Sequence, residues 1–412
     1  MPRKAARTAR LLLGAALLLA LTQWRVTEAR AADAPAPLRI GVLTDMSSSF
    51  ADFSGPGSVE AVRMAVEDYG GKVLGRPIEV LVGDHQNKAD IGSSIASQWY
   101  DQQQVQAIFD VPNSGVALAV QDVTRRHNKV LMISSAGTSD LTGKACSPNG
   151  IAWVYDTYAL AAGTGSYLAR HGGNTWYFVT LDYAFGWSLE RDVTQVITPL
   201  GAKVLGDSRH PLNTPDLSSF LLKAQASGAQ VIALANAGTD LVNSVKQAAE
   251  FHVTTGGKTL AGLIVYISDV NSIGLQLAQG LILTSPFYWD SDEPTRAFAR
   301  RFFARTGKMP TMAHAGNYTA VLHYLKAVAA AGTDEAGPVL QKIKSMPIDD
   351  FMIHDGHIRE DGRVMRDMFV FRVKTPSESR APWDYYDQIE RVPAEQAARP
   401  LEQSECPLLA HK

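Results

Sequence analysis

Hydroxyl groups and carboxylates in this chain gather directly after short apolar runs, where helices are about to begin. Val111-Pro112-Asn113-Ser114-Gly115 follows one such run, and Ser134-Ser135-Ala136-Gly137-Thr138-Ser139-Asp140 follows another. Both set hydroxyls and backbone N–H groups at or near helix N-termini, which receive a carboxylate or other anion readily. A longer loop, Asp45 to Gly57, is rich in serine and glycine and carries Phe50 and Phe53. In the second half, Asp182-Tyr183-Ala184-Phe185-Gly186, Asn236-Ala237-Gly238-Thr239-Asp240 and Ser268-Asp269-Val270 hold the matching places. The first half thus offers hydroxyls, and the second carboxylates and aromatics. That pairing suits a zwitterion or a hydroxylated aromatic acid. Ser114, Thr138 and Asp240 also fit the plainer role of helix caps. Two hydroxyl loops on neighbouring strands weigh toward ligand contact for Ser114 and Thr138. Asp240 suits either role equally. Asp269 leans toward contact, because nothing after it reads as strongly helical.

No reactive constellation competes with this reading. The chain has no G-x-S-x-G elbow, no G-x-G-x-x-G after a strand, no phosphate loop of the G-x-x-x-x-G-K type and no H-E-x-x-H. His354 and His357 have metal-like spacing but fall on a turn without further ligands nearby. Asp84-His85 reads as a solvated pair or a rim contact at a strand end. Phe302 and Phe303 read as helix core. We therefore expect a binder with no catalytic residues, no metal and no cofactor.

The elements that position these loops repeat a strand–helix beat. Leu38–Thr44, Ile78–Val82, Ala107–Val111 and Val130–Ser134 read as buried strands, with helices at 58–69, 90–101 and 114–127 between them. The beat restarts after Trp153, with strands at 175–180, 203–206, 231–235 and 263–267 and helices at 186–196, 217–226 and 241–251. Near-continuous apolar strands alternating with helices imply a parallel sheet covered on both faces. Two such units predict an α/β fold of two doubly wound lobes, whose ligand sits outside the carboxyl ends of the strands. Helical patterns at 293–305, 314–331 and 338–345 then return to the first lobe. An antiparallel pair near Ile358 and Met368–Val373 returns to the second.

The N-terminus predicts export. Arg3, Lys4, Arg7 and Arg10 precede the apolar run Leu11–Leu21, and Ala29-Arg30-Ala31 offers a small-residue cleavage site. The run is too short to span a bilayer. Cleavage near Ala31 would leave a protein for the periplasm. A formal net charge of −2, with no basic stripe, argues against nucleic acid and against a polybasic membrane contact. Cys146 and Cys406, an even count in an exported chain, predict a disulfide that ties down the C-terminus.

In order and spacing, several stretches resemble the periplasmic leucine/isoleucine/valine-binding family of ABC-transporter solute-binding proteins. They are IGVLTDMSSSFADFSGPGSVEAVRMAVEDYGG, VLGRPIEVL, VPNSGVALAV, MISSAGTSDLT, DYAFG and TPDLSSFLLKAQASGAQVIALANAG, within residues 38–375. The resemblance implies lobes joined by three crossovers, near 153–157, 284–287 and 347–351, closing like a Venus flytrap and serving a membrane permease. The division it implies is signal peptide 1–31, linker 32–37, lobe one 38–154 with 287–347, lobe two 155–286 with 348–376, and a tail 377–412. By position, Ser114, Ala136 and Thr138 match the family's carboxylate-holding residues. Asp269 matches the acid for an ammonium group, and Phe53 and Phe185 match aromatic walls. Asn236-Ala237-Gly238 replaces the family's usual tyrosine region before Asp240, which reshapes the pocket. The chain also resembles a subgroup that binds hydroxybenzoate-like aromatic carboxylates, and the contexts of Cys146 and Cys406 (KACSP and SECPL) are similar to that subgroup's. Two ligand classes therefore stand open, branched-chain or related amino acids and aromatic carboxylates. A lesser alternative is presentation of the ligand to a separate sensory receptor. The chain is expected to act as a monomer.

Overall fold

A computed structural model describes residues 35–409. The leader, its cleavage site and the first part of the linker lie outside the described residues.

The first lobe is built on β1 (Leu38–Thr44), β2 (Lys72–Val73), β3 (Arg76–Asp84), β4 (Val105–Asp110), β5 (Val130–Ile133) and β6 (Gly150–Ala152). Their order is β2-β3-β1-β4-β5-β6, with β1, β3, β4, β5 and β6 all parallel. Leu38, Ile40, Val42 and Leu43 are fully buried, because helices cover both faces. Those helices are α1 (Gly55–Asp68), α2 (Ala89–Asp101) and α3 (Ser114–Arg126).

The second lobe repeats the pattern with β7 (Thr175–Leu181), α4 (Ala184–Ile197), β8 (Lys203–His210), α5 (Ser218–Ala226), β9 (Val231–Ala235), α6 (Thr239–Glu250) and β10 (Thr259–Gly262). The strands pair in parallel in the order β10-β9-β7-β8. The strand expected at 263–267 is displaced. β10 ends at Gly262, and α7 (Ile267–Ile273) begins where the strand was to finish. Leu263 to Tyr266 are buried all the same. A short apolar run signals burial, and here it is a buried loop.

The chain crosses between the lobes after β6, after β11 (Ile282–Ser285), and again beyond three helices. Those helices are α8 (Glu293–Thr306), α9 (Met312–Ala331) and α10 (Ala336–Ser345). They pack on the first lobe. Arg301 and Tyr318 both bind Asp68 of α1, at 2.7 and 2.6 Å. Asn317 donates to Ser58 at 2.9 Å and to Asp110 at 2.8 Å.

The last strands form two small sheets, which corrects the expected pairing. Ile358, in β12 (His357–Ile358), pairs with Val364 in β13 (Val364–Met365). β14 (Met368–Val373) instead lies antiparallel between β11 and β15 (Tyr386–Val392). Of the expected tail, residues 377–409 are described. They supply an edge strand, then run back to the first lobe, where Cys406 is bonded to Cys146 with 5.5 Å between Cα atoms.

Candidate binding cleft

On the first lobe, β4 ends in an unusual turn. Asp110 has φ +83° and Val111 has φ +53°. That region is disfavoured for a β-branched residue, and such strain gathers at functional sites. Asp110 is held there by Ser54 at 2.6 Å, by Asn317 and by Ser135. The turn delivers α3 with Asn113 as its cap, whose side chain accepts from Val116 N–H at 3.1 Å. Capping is therefore done by Asn113, and Ser114 is released from it. The Ser114 hydroxyl instead accepts from Thr138 N–H at 3.2 Å, which joins the two hydroxyl loops. Thr138 does cap the short 3-10 turn Ser139–Leu141, accepting from Asp140 N–H at 3.3 Å. Ala136 is buried beside it.

The second lobe reaches these loops with aromatic rings. A Cβ added at Gly137 would lie 2.7 Å from the Tyr155 ring and 2.9 Å from that of Phe185. Only a glycine lets the rings lie that close over the loop. Gly186 makes a comparable demand, since a Cβ there would come within 1.9 Å of the Leu181 carbonyl oxygen. This tight strand-to-helix turn aims Phe185 at the first lobe. Tyr183 faces Ser114, and burial pushes its hydroxyl pKa well above the ordinary value. Phe53, from the first lobe, stacks on Tyr266 of the second, with centroids 4.1 Å apart and planes within 3°. The Tyr266 hydroxyl lies 2.8 Å from that of Tyr155, which donates to the Ser135 carbonyl at 2.6 Å.

Ser114, Ala136, Thr138, Phe53 and Phe185 therefore converge where the lobes meet. Tyr155, Tyr183 and Tyr266 join them, and the sequence reading did not single them out. Tyr183 was in view within the loop after β7. Tyr266 was hidden because its segment read as a strand.

The polar residues expected to contact ligand from the second lobe make hydrogen bonds within that lobe. Asp240 accepts from Thr214 N–H at 2.9 Å and from Asn213 N–H at 3.1 Å, and burial raises its pKa to about 6. It holds the turn whose Asn213 touches Ser49 across the cleft. Asn236 donates to Ser244 at 2.9 Å and lies 3.1 Å from the His210 ring nitrogen. Asp269 sits in the first turn of α7, where it accepts from Tyr266 N–H at 2.8 Å. Burial raises its pKa to about 8, leaving it mostly protonated at neutral pH. A helix does follow it, contrary to the expectation that favoured it as a contact.

A polar knot beside the cleft also joins the lobes. Asp192 on α4 accepts from Ser139 at 2.7 Å, Thr157 at 2.6 Å and Arg399 at 2.6 Å. Among the described residues no cluster of side chains could hold a metal ion, and no helix is long and apolar enough to cross a membrane.

The fold has close counterparts. Residues 37–380 match the family model described as Periplasmic binding protein. A periplasmic binding protein from Burkholderia mallei is 46% identical, with 90% of this chain and 99% of that one covered, at a TM-score of 0.89. A branched chain amino acid ABC transporter periplasmic ligand-binding protein from Burkholderia xenovorans LB400 is 40% identical. There 90% of this chain and 100% of that one are covered, at a TM-score of 0.81. The Leu/Ile/Val-binding protein homolog 6 of Brucella melitensis is 24% identical over 339 residues, or 80% of this chain and 85% of that protein. The chain thus belongs to the periplasmic binding protein family, the solute-binding, non-enzymatic components of ABC transporters.

Proposed function

We propose that this protein captures an aromatic carboxylate between its lobes and delivers it to an ABC-transporter permease. The carboxylate end is assigned to Ser114, Ala136 and Thr138, where hydroxyls and helix-terminal N–H groups meet. The observation that carries the ligand class is on the other side of the cleft. Phe53, Tyr155, Tyr183, Phe185 and Tyr266 line it, while Asp240 and Asp269 are turned to backbone N–H groups of their own lobe. A buried ammonium group needs a paired counter-charge, and burial together with the Tyr266 N–H bond already engages Asp269 within its own lobe. An aryl ring needs only apolar and aromatic walls.

Binding and closure are coupled in this reading. The Phe53–Tyr266 stack and the Ser139–Asp192 hydrogen bond both join one lobe to the other. A ligand that contacts both lobes favours the closed form through its differential affinity.

A second reading, a branched-chain amino acid, is favoured by the description of the Burkholderia xenovorans relative. A thermal-shift screen separates the two. Benzoate and its hydroxylated forms should raise Tm, as any ligand of the native state does, and leucine, isoleucine and valine should not. A shift with leucine and none with benzoate overturns the proposal. We further propose export with cleavage near Ala31, which intact-mass measurement of protein recovered from the periplasm would check.

A further inference from the structure

Tyr266, stacked on Phe53, also walls a small aromatic compartment. It is walled by Tyr266, Phe287, Tyr288, Trp289, Met312 and Tyr386, with room for about one water-sized group. Met312 comes from the first turn of α9, packed on the first lobe, and Tyr266 comes from the second. Tyr386 opens β15, the strand added by the C-terminal segment. The compartment is thus walled by residues of both lobes.

Most polar side chains around it are committed. The Ser285 hydroxyl donates to the Phe287 carbonyl at 2.7 Å, and the Thr311 hydroxyl to the Phe53 carbonyl at 2.7 Å. The Trp289 indole donates to the Trp383 carbonyl at 2.8 Å. The Tyr288 hydroxyl accepts from Tyr385 N–H at 3.2 Å, and that of Tyr266 meets Tyr155. Tyr386 differs. It is 5% exposed, and its hydroxyl is buried without a protein partner. Buried hydroxyls in native proteins are almost always paired, so each exception calls for a partner from elsewhere.

Tyr266 is a wall common to the compartment and to the residues beside the hydroxyl loops. Its hydroxyl end meets Tyr155, which is bonded to Ser135, while its ring lines the compartment. We propose that Tyr386 is a specificity-determining residue. It pairs with a hydroxyl on the end of the ligand distant from the carboxylate. This rests on the aromatic-carboxylate reading above and deepens it. The C-terminal segment then contributes to recognition as well as to the sheet.

The test compares Tyr386→Phe with the unaltered protein by calorimetry, using benzoate and 4-hydroxybenzoate. Because the Tyr386 hydroxyl has no protein partner, the variant should fold and keep its Tm without ligand. The unaltered protein should bind 4-hydroxybenzoate about tenfold more tightly than benzoate, as one hydrogen bond to a buried group allows. Tyr386→Phe should lose that preference and leave benzoate affinity unchanged. If the preference survives in the variant, or both acids weaken alike, the assignment is overturned and the compartment holds only water. If benzoate binds but the unaltered protein shows no preference, this assignment fails while the aromatic-carboxylate reading stands. If neither acid binds, both fail.

Discussion

Ser114 and Asp240 occupy equivalent places, one in each lobe. Each lies in the first turn of a helix that follows a buried parallel strand, and each is fully buried. Their surroundings differ. Asn113 takes over the capping of α3, so Ser114 is left to face the neighbouring hydroxyl loop and Tyr183 of the other lobe. On α6 the cap position is Gly238, which has no side chain, and Asp240 is drawn to the N–H groups of Asn213 and Thr214. The contrast separates two uses of a polar residue at a helix start. It is left facing the other lobe when a neighbour caps its helix, and it serves the fold when another segment's backbone N–H groups claim it.

The largest expected effect falls on what the lobes share. The Cys146–Cys406 bond closes a sequence separation of 260 residues and ties the segment after β15 to the first lobe. Cys406→Ser should cost about 2–4 kcal/mol of stability, seen as a lower Tm that reductant does not lower further. Ligand affinity should stay nearly constant, because neither cysteine lines the cleft. A variant with unchanged Tm would show that the bond does not hold the lobes.

Next comes the contrast itself. Ser114→Ala and Thr138→Ala should each weaken carboxylate binding by about 1–3 kcal/mol, the range for a hydrogen bond to a charged group. Asp240→Asn should leave affinity nearly intact and lower Tm, since an amide oxygen replaces one of the two acceptors that hold the 213–214 turn. Calorimetry with the three variants would break the comparison if Asp240→Asn lost more affinity than Ser114→Ala.

This difference between lobes also decided how much could be read from sequence. The β1 reading, Leu38–Thr44, matches the strand residue for residue, because a fully buried strand is a near-continuous apolar run with polar neighbours. The hydroxyl loops were legible for the same reason, since they follow such strands. The 263–266 run was equally apolar and was not a strand, and Tyr266 was lost with it. β15 was missed for the opposite reason. Its sequence YDQIERV is mostly polar, as an edge strand can be, and its pairing with β14 is a long-range fact. The carboxylates of the second lobe were visible as residues, but their partners are backbone N–H groups, which no side-chain pattern reveals.

The smallest effect on binding, and the finest test, belongs to Asp269. Its pKa of about 8 in the folded chain lies above the ordinary 3.8, and burial is the cause. Between those two values the native state binds more protons than the unfolded state, so the stability it contributes is full below about pH 4 and falls as pH rises to about 8. Above that it levels off. Asp269→Asn removes the titration while its amide oxygen still accepts from Tyr266 N–H. The variant should therefore gain Tm relative to the unaltered protein as pH rises from 4 to 8. Because Asp269 is mostly neutral at pH 7, the same change should alter aromatic-carboxylate affinity by no more than about threefold, less than one net hydrogen bond. Were Asp269 instead the counter-ion of an ammonium group, the variant would lose binding by orders of magnitude. The two measurements together determine whether the second lobe presents a charge or a wall.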